Sequence, residues 1–255
     1  MKTVLVSERL SEACAAALAD LGFSVRRMPS DPRLPEPVND HPDLLAARLP
    51  TGELLLTEPY ARMTDRFWTS LDAPICLTTE PLGNRYPQDV LLDALAIGER
   101  LYGNADAVST VLRSCYRAFT AVKQGYARCS VALLSDTCAV TADHGLAEVL
   151  RRDGVDVLEI RTGHIQLPGY AYGFIGGAGG AVGEGQYVFF GNLLSHPDGE
   201  TIAAFAESKK INAVSLSDEP LSDRGGLLVL QNSSTVLSAS VISTPSVSAL
   251  ASSSK

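Results

Sequence analysis

Long apolar runs are missing from this chain of 255 residues: nothing approaches the roughly 20 uninterrupted apolar residues of a membrane-spanning helix. The first residues, Met1 to Glu8, read as a short strand and lack the longer apolar segment of a secretory leader. A cytoplasmic protein without membrane partners is the expectation. Positive charge is also scarce, with 21 Lys and Arg against 29 Asp and Glu, and the basic residues are scattered. Binding to a phosphate backbone relies on clustered Lys and Arg, so nucleic acid is not expected as a partner. Cysteine is sparse as well: Cys14, Cys76, Cys115, Cys129 and Cys138 are odd in number, widely spaced and free of any C-x-x-C pair. That pattern argues against a disulfide framework or a zinc ribbon and fits reduced thiols. The four histidines show no ligand spacing, so no metal and no cofactor is assigned. What remains is an ordinary globular composition, 45% hydrophobic and 20% charged, able to bury a substantial core.

The hydrophobic period suggests one supersecondary unit used repeatedly. The N-terminal stretch predicts a strand at 3–7, a helix over about 10–21 stopped by Gly22, a strand at 23–28 and a proline-rich loop at 29–37. Between Cys129 and Arg161 the order is strand (130–135), strand (138–141), helix (145–152) and strand (155–160). The same order recurs with strands at 172–175 and 187–190, a helix at 197–209 and a strand at 212–216. A third copy fits 43–77, with strands at 44–49 and 53–57, a helix at 64–71 and a strand at 74–77. Such repetition points to a radial or stacked α/β architecture rather than a doubly wound sheet. Residues 1–230 are read as a single domain. The Ser-rich segment 231–255, with no charge before Lys255, is expected to be a poorly ordered tail, the alternative being an edge strand at 235–242.

Several segments carry potential chemistry. The glycine-rich run 173–183 lacks the Gly-Lys-Ser/Thr of a phosphate loop and leads into a strand instead of a helix, so close backbone packing explains it better than a nucleotide does. Of two His-Pro-Asp triplets, His196-Pro197-Asp198 is best read as a helix start. His41-Pro42-Asp43 opens an expected strand–turn–strand hairpin, where alternate residues share a face, and offers an acid–base pair. In Lys123-Gln124-Gly125-Tyr126-Ala127-Arg128-Cys129-Ser130 a thiol sits near two cations, which would lower its pKa; otherwise Cys129 is a small buried hydrophobe. Asp143 before the helix is most simply an N-cap. Asp89 and Asp223 each place a carboxylate at the expected start of a strand, suited to holding a cation or to facing solvent.

Taken together, His41-Pro42-Asp43-Leu44, Tyr86-Pro87 with Asp89-Val90, the string 122–130, the run Tyr172 to Ala178, and Leu221-Ser222-Asp223 with Gly225-Gly226 resemble the landmarks of an uncharacterised bacterial family. That family has the guanidine-modifying-enzyme, or pentein, fold of arginine deiminases, dimethylarginine hydrolases and amidinotransferases. The resemblance covers the chain to about Leu230. It implies an α/β propeller whose pseudo-repeated strand–strand–helix–strand units surround a central channel. It also implies a polar pocket for a small cationic or amide-bearing metabolite. In that pocket His41 would be the acid–base group, Asp43 its orienter or a guanidinium ligand, and Cys129 a nucleophile. Asp89, Lys123, Tyr126 and Asp223 would bind the substrate. One departure stands out: the enzymes use a cysteine late in the chain, and here none follows Cys138. The expectation is therefore either a C–N hydrolase or amidinotransferase-like enzyme, or a binding protein on the same fold that has lost its chemistry. A homo-oligomer is left open.

Overall fold

The computed structural model describes residues 1–230 apart from 72 and 184; the expected tail, and the alternative strand within it, lie outside the described residues. Strand β1 (Lys2–Ser7) leads into helix α1 (Glu12–Asp20) and strand β2 (Phe23–Met28), which pairs with β1 in parallel. Ser11 caps α1 through a hydrogen bond from Cys14 N (3.3 Å), and Gly22 takes a φ of +88° that a glycine adopts at little cost as the chain leaves the helix. The third strand of this sheet, β15 (Leu228–Leu230), comes from the far end of the domain and runs antiparallel to β1.

Four further three-stranded sheets have the same plan, an antiparallel pair followed by a helical crossover to a parallel partner. After helix α2 (Pro42–Leu45) come β3 (Ala47–Arg48), β4 (Leu54–Thr57), α3 (Glu58–Met63), α4 (Asp65–Thr69) and β5 (Ile75–Thr78). Next are β6 (Leu95–Ile97), β7 (Arg100–Gly103), α5 (Thr110–Ser114) and β8 (Ala118–Ala121). Then follow β9 (Val131–Ser135), β10 (Cys138–Thr141), α6 (His144–Arg152) and β11 (Asp156–Glu159). The last complete unit is β12 (Gly179–Gly183), β13 (Gln186–Phe189), α7 (Gly199–Ser208) and β14 (Asn212–Ser215). The strand–strand–helix–strand unit therefore occurs five times, once with its first strand supplied by the chain's end. In every sheet the first strand of the unit is an edge. A cavity of about 910 Å³ is lined by one side chain or more from each of these edges, among them Ala47, Leu95, Val131, Ala181 and Val229. The helices pack their apolar sides on the sheets, with Leu18, Leu112, Leu150 and Ile202 essentially inaccessible to solvent. Each such side chain contributes about 1.5–3 kcal/mol relative to exposure. Among the described residues no helix is long and apolar enough to cross a membrane.

Three expectations need correction. The segment 44–49 is not one strand: Pro42 occupies the first turn of a helix with His41 at its cap, and only Ala47–Arg48 is extended. The helix expected at 64–71 is two short helices meeting at Thr64, and the chain enters the first of them already at Glu58. The strand expected at 172–175 lies instead in the glycine run, at 179–183. Glycine is required there because a Cβ on Gly179 would stand 2.1 Å from Val188 O across the β12–β13 pair.

Asp143 does cap α6, accepting from Leu146 N at 2.8 Å, and its other oxygen accepts from Gln124 Nε2 at 2.9 Å. Asp143→Ala removes both bonds and is expected to cost about 1–2 kcal/mol by urea denaturation, with Asp143→Asn closer to wild type. The second His-Pro-Asp triplet precedes α7, but Asp198 makes no side-chain cap there: buried His196 accepts from Asp198 N at 3.0 Å, while Asp198 grips Arg161 at 2.6 Å and is held at about 2 by that guanidinium.

Candidate active site in an acidic cavity

The residues singled out near the two ends of the domain meet at a second cavity, of about 250 Å³, lined by His41, Asp43, Tyr126, Cys129, Phe174 and Asp223 together with apolar side chains such as Leu44 and Leu167. Four different segments deliver them. His41 and Asp43 come from the start of α2, whose Asp43 N donates to Gly225 O at 3.2 Å. Cys129 lies in the turn before β9. Phe174 belongs to the glycine-rich loop before β12, and Asp223 to the loop before β15.

Glycines make this convergence feasible. A Cβ on Gly177 would stand 2.0 Å from Asp223 Oδ1 and 2.7 Å from Cys129 Sγ. One on Gly225, whose φ is +70°, would stand 2.4 Å from His41 Cβ. Asp223 is fixed by Phe174 N (2.8 Å) and Gly225 N (3.0 Å). Around it lie His41 Nδ1 at 3.7 Å and Cys129 Sγ, a donor 3.5 Å from Oδ2. His41 Nε2 is buried without a hydrogen-bond partner among the described residues.

Asp43 is fully buried, and neither of its carboxylate oxygens accepts a hydrogen bond among the described residues; the Arg128 guanidinium stands 3.6 Å from Oδ2. A third carboxylate, Asp93, has no exposure at all. Its Oδ1 accepts from Arg128 N at 2.7 Å and Cys129 N at 3.2 Å, leaving Oδ2 without a partner. Ligand atoms of Asp43, Asp93 and Cys129 lie within 4.8 Å of one another, a spacing that suits a metal ion as well, with Arg128 already beside Asp43 as a competing cation.

Three buried carboxylates against one half-buried guanidinium leave local negative charge in excess, and the ionisation equilibria respond. Burial, then the neighbouring Asp43, push Asp93 well above the ordinary carboxylate range. Asp223 is raised by burial, with His41 pulling the other way. Cys129 is pushed well above the ordinary thiol value by burial and then by the charges of Asp223, Asp43 and Asp93. Burial of Cys129 accords with the small-hydrophobe alternative, and the direction is opposite to that of a lowered thiol: Lys123 and Arg128 are close in sequence, but three carboxylates are close in space.

Tyr126 also lines the cavity, and its hydroxyl donates to Asp89 Oδ2 at 2.7 Å. Asp89 is buried and lies outside the cavity lining, joined to it through the Tyr126 hydroxyl. Lys123 is exposed and outside the lining, beyond the end of β8, and its carbonyl accepts from Asn104 Nδ2 at 3.3 Å. The lining rings Tyr126, Tyr172 and Phe174 pack on one another and on Tyr86: Tyr86 stacks on Tyr126 (5.9 Å), Tyr126 lies near Phe174 (5.9 Å) and Tyr172 is edge-on to Phe174 (6.3 Å). Sequence reasoning missed Asp93 and the role of Arg128. The available signal was a lone carboxylate inside the apolar run Val90 to Leu95.

A raised carboxylate has a signature in stability. The contribution is fully present below the unfolded-state pKa of about 3.9 and is lost as pH rises through the higher folded value. Asp93→Asn keeps an acceptor for the two backbone N–H groups and removes the proton equilibrium. The difference in unfolding free energy between variant and wild type is therefore expected to shift in the variant's favour as pH rises above about 4, by up to about 1.4 kcal/mol per pH unit until the wild-type group is ionised. Urea midpoints across a pH series provide the check.

Comparisons agree on the fold. A Pseudomonas aeruginosa dimethylarginine dimethylaminohydrolase, a cysteine-to-serine mutant complexed with citrulline, superposes with a TM-score of 0.52 at 9% identity, covering 85% of this chain and 92% of that one. An amidinotransferase of saxitoxin biosynthesis from Microseira wollei gives 0.52 at 12% identity, covering 93% and 96%. The agmatine deiminase of C. jejuni gives 0.51 at 7%, covering 85% and 86%. No curated protein matches the chain by sequence. The chain thus has the pentein-like α/β fold of these hydrolases and transferases. The model of a family of unknown function, DUF6873, matches residues 5–228, and the chain belongs to that family.

Proposed function

We propose that the acidic cavity binds a small organic cation, a guanidinium or amidinium head on a short apolar stem. The observation that carries this reading is the Asp43 carboxylate, fully buried with both oxygens lacking hydrogen-bond partners among the described residues, next to Asp223 and Asp93. Leaving buried carboxylate oxygens without hydrogen bonds costs several kcal/mol, and a planar cation with several N–H donors supplies both charge and hydrogen bonds. Tyr126, Phe174 and Leu44 suit the stem. The structural neighbours include a citrulline complex and an agmatine deiminase, chemistry of the same class. In this reading the five units stand around a common axis as a propeller in a cytoplasmic protein, with the acidic cavity at one end of the channel.

Chemistry would run through Cys129 and His41. A cation among the three carboxylates offsets the charges that hold the thiol protonated, so the thiolate becomes accessible once the ligand is bound. The thiolate would form a C–S bond to the guanidinium carbon, and His41 would pass a proton to the departing amine nitrogen as the C–N bond breaks. Water would then release the product and restore the thiol. The raised thiol pKa favours a second reading, binding without turnover.

Cationic 2-chloroacetamidine and neutral 2-chloroacetamide distinguish these. The amidine is expected to label Cys129 at least about tenfold faster, a preference of about 1.4 kcal/mol, and to lose that preference in Asp223→Asn. Exposed Cys115 serves as an internal reference. Equal rates at Cys129 contradict the cation pocket, whereas an amidine preference that survives His41→Ala favours binding without acid–base chemistry.

A further inference from the structure

The larger cavity has the opposite charge. Three cationic side chains, Lys2, Arg48 and Arg128, line its 910 Å³, and no carboxylate side chain does among the described residues. This is unusual in a chain with a formal charge of −8. Arg48 is the telling residue. One guanidinium nitrogen, Nη2, donates to Val229 O, while Nη1 is buried with no partner, and no carboxylate lies within 4.0 Å of it among the described residues. Burial and the like charge of Arg128 both disfavour the charged form of Arg48. Guanidinium nevertheless stays protonated in proteins, so the repulsion needs a counter-charge. Arg128 has donors to spare as well: it spends one N–H on Leu227 O (2.9 Å) and another on Gly225 O (3.4 Å), and its only carboxylate partner among the described residues is Asp43 at 3.6 Å, on the side of the acidic cavity. The chain after Leu230 carries no Asp or Glu, and Glu184, between Gly183 and Gly185 of the lining, is outside the described residues.

We infer that the larger cavity is a binding site for a metabolite carrying an oxyanion, a phosphate or carboxylate group, with Arg48 and Arg128 as its paired guanidinium ligands and Lys2 at its mouth. The chemistry fits: planar guanidinium forks match oxyanion geometry, and two of them supply more donors than a backbone carbonyl or two can use. The volume fits a metabolite rather than a bare ion, since ligand sites of small molecules span about 300–1,000 Å³. The apolar edge strands, through Leu95, Leu133 and Val182, would face the rest of the ligand. Arg48 and Lys2 have no part in the acidic cavity, whereas Arg128 stands between the two sites, 3.6 Å from Asp43, so Arg48 and Lys2 are the residues that test this site separately from the cation pocket.

Calorimetric titration of the full chain with inorganic phosphate and with succinate, at constant ionic strength in sodium chloride, tests it and separates the two oxyanion sources. Saturable binding of at least one probe is expected, weakened about tenfold or more in Arg48→Gln and less in Arg48→Lys, which keeps the charge but loses the fork. Because Arg48 also ties down β15, Lys2→Gln provides a variant at an exposed side chain; its affinity is expected to fall about two- to fivefold, the effect of one partly screened charge. Absence of saturable binding by either probe to the wild type, or wild-type affinity in folded Arg48→Gln, overturns the inference. Titration of Arg48→Gln with n-butylguanidinium reports separately on the acidic cavity, where unchanged affinity is expected.

Discussion

Gly177→Ala is expected to destabilise the protein by roughly 3–5 kcal/mol and to abolish cation binding in whatever fraction stays folded. The added methyl carbon would meet Asp223 Oδ1 at 2.0 Å, Asp223 Cγ at 2.5 Å and Cys129 Sγ at 2.7 Å. None of these groups can easily step aside. Asp223 is held by Phe174 N and Gly225 N. Gly177 itself is pinned, its N–H donating to Cys129 O (3.0 Å) and its carbonyl accepting from Arg224 N and Gly226 N (2.9 Å each). Relief therefore means breaking buried hydrogen bonds or parting two loops, each costing about 1–3 kcal/mol beyond the overpacking itself. Gly183→Ala is the control: its Cβ would meet nothing within 4 Å, and near-neutral stability is expected. Urea midpoints at unchanged slope measure both variants, and equal stability of the two would contradict the packing described here.

Asp223→Asn is expected to weaken cation binding by about 2–5 kcal/mol, a loss of roughly thirty- to several-thousand-fold. Two effects add. The charge facing the ligand disappears from a fully buried position, and one carboxylate oxygen becomes an NH2 group that cannot accept from Phe174 N or Gly225 N. The second effect also lowers stability, by about 1–3 kcal/mol for one buried donor left unpaired. The affinity loss is therefore to be read on protein shown to be folded. Affinity of the wild type should fall as pH is lowered through the raised values of Asp223 and Asp93, because each proton bound removes a charge that the ligand needs. Stability moves the opposite way for the same groups, so a ligand-binding profile and an unfolding profile of opposite slope are expected from one cluster.

Much of this cluster was legible as a list of residues and little of it as an environment. His41, Asp43, Cys129 and Asp223 stand out in sequence because they are polar groups flanked by proline, glycine or apolar residues, and the fold brings all four to one cavity. Lys123 stood out for its charge, yet a long solvated ammonium at a strand end has no reason to enter a buried site, and it does not. The direction of the Cys129 shift is not legible in the local sequence, where Arg128 and Lys123 are the near charges, because the thiol's surroundings are set by residues 36, 86 and 94 positions away in the chain (Asp93, Asp43 and Asp223). Repetition was visible in three units and hidden in others for physical reasons. β6 has only three residues, too few for a period, and within the visible unit 172–216 the first strand was misplaced because β12 is built of glycines whose missing side chains are the condition for its close packing.

The central claim is that buried carboxylate charge in excess of its cationic neighbours selects a cation. Calorimetric titration of the wild-type chain with n-butylguanidinium and with n-butylurea at neutral pH tests it most directly, since the two share a planar N–H-bearing head and an apolar stem and differ in charge. The account predicts saturable binding of the guanidinium and a urea affinity weaker by about a hundredfold or more, in line with the 2–5 kcal/mol attached to a buried charge pair. Equal affinities, or no binding of the guanidinium, would contradict it.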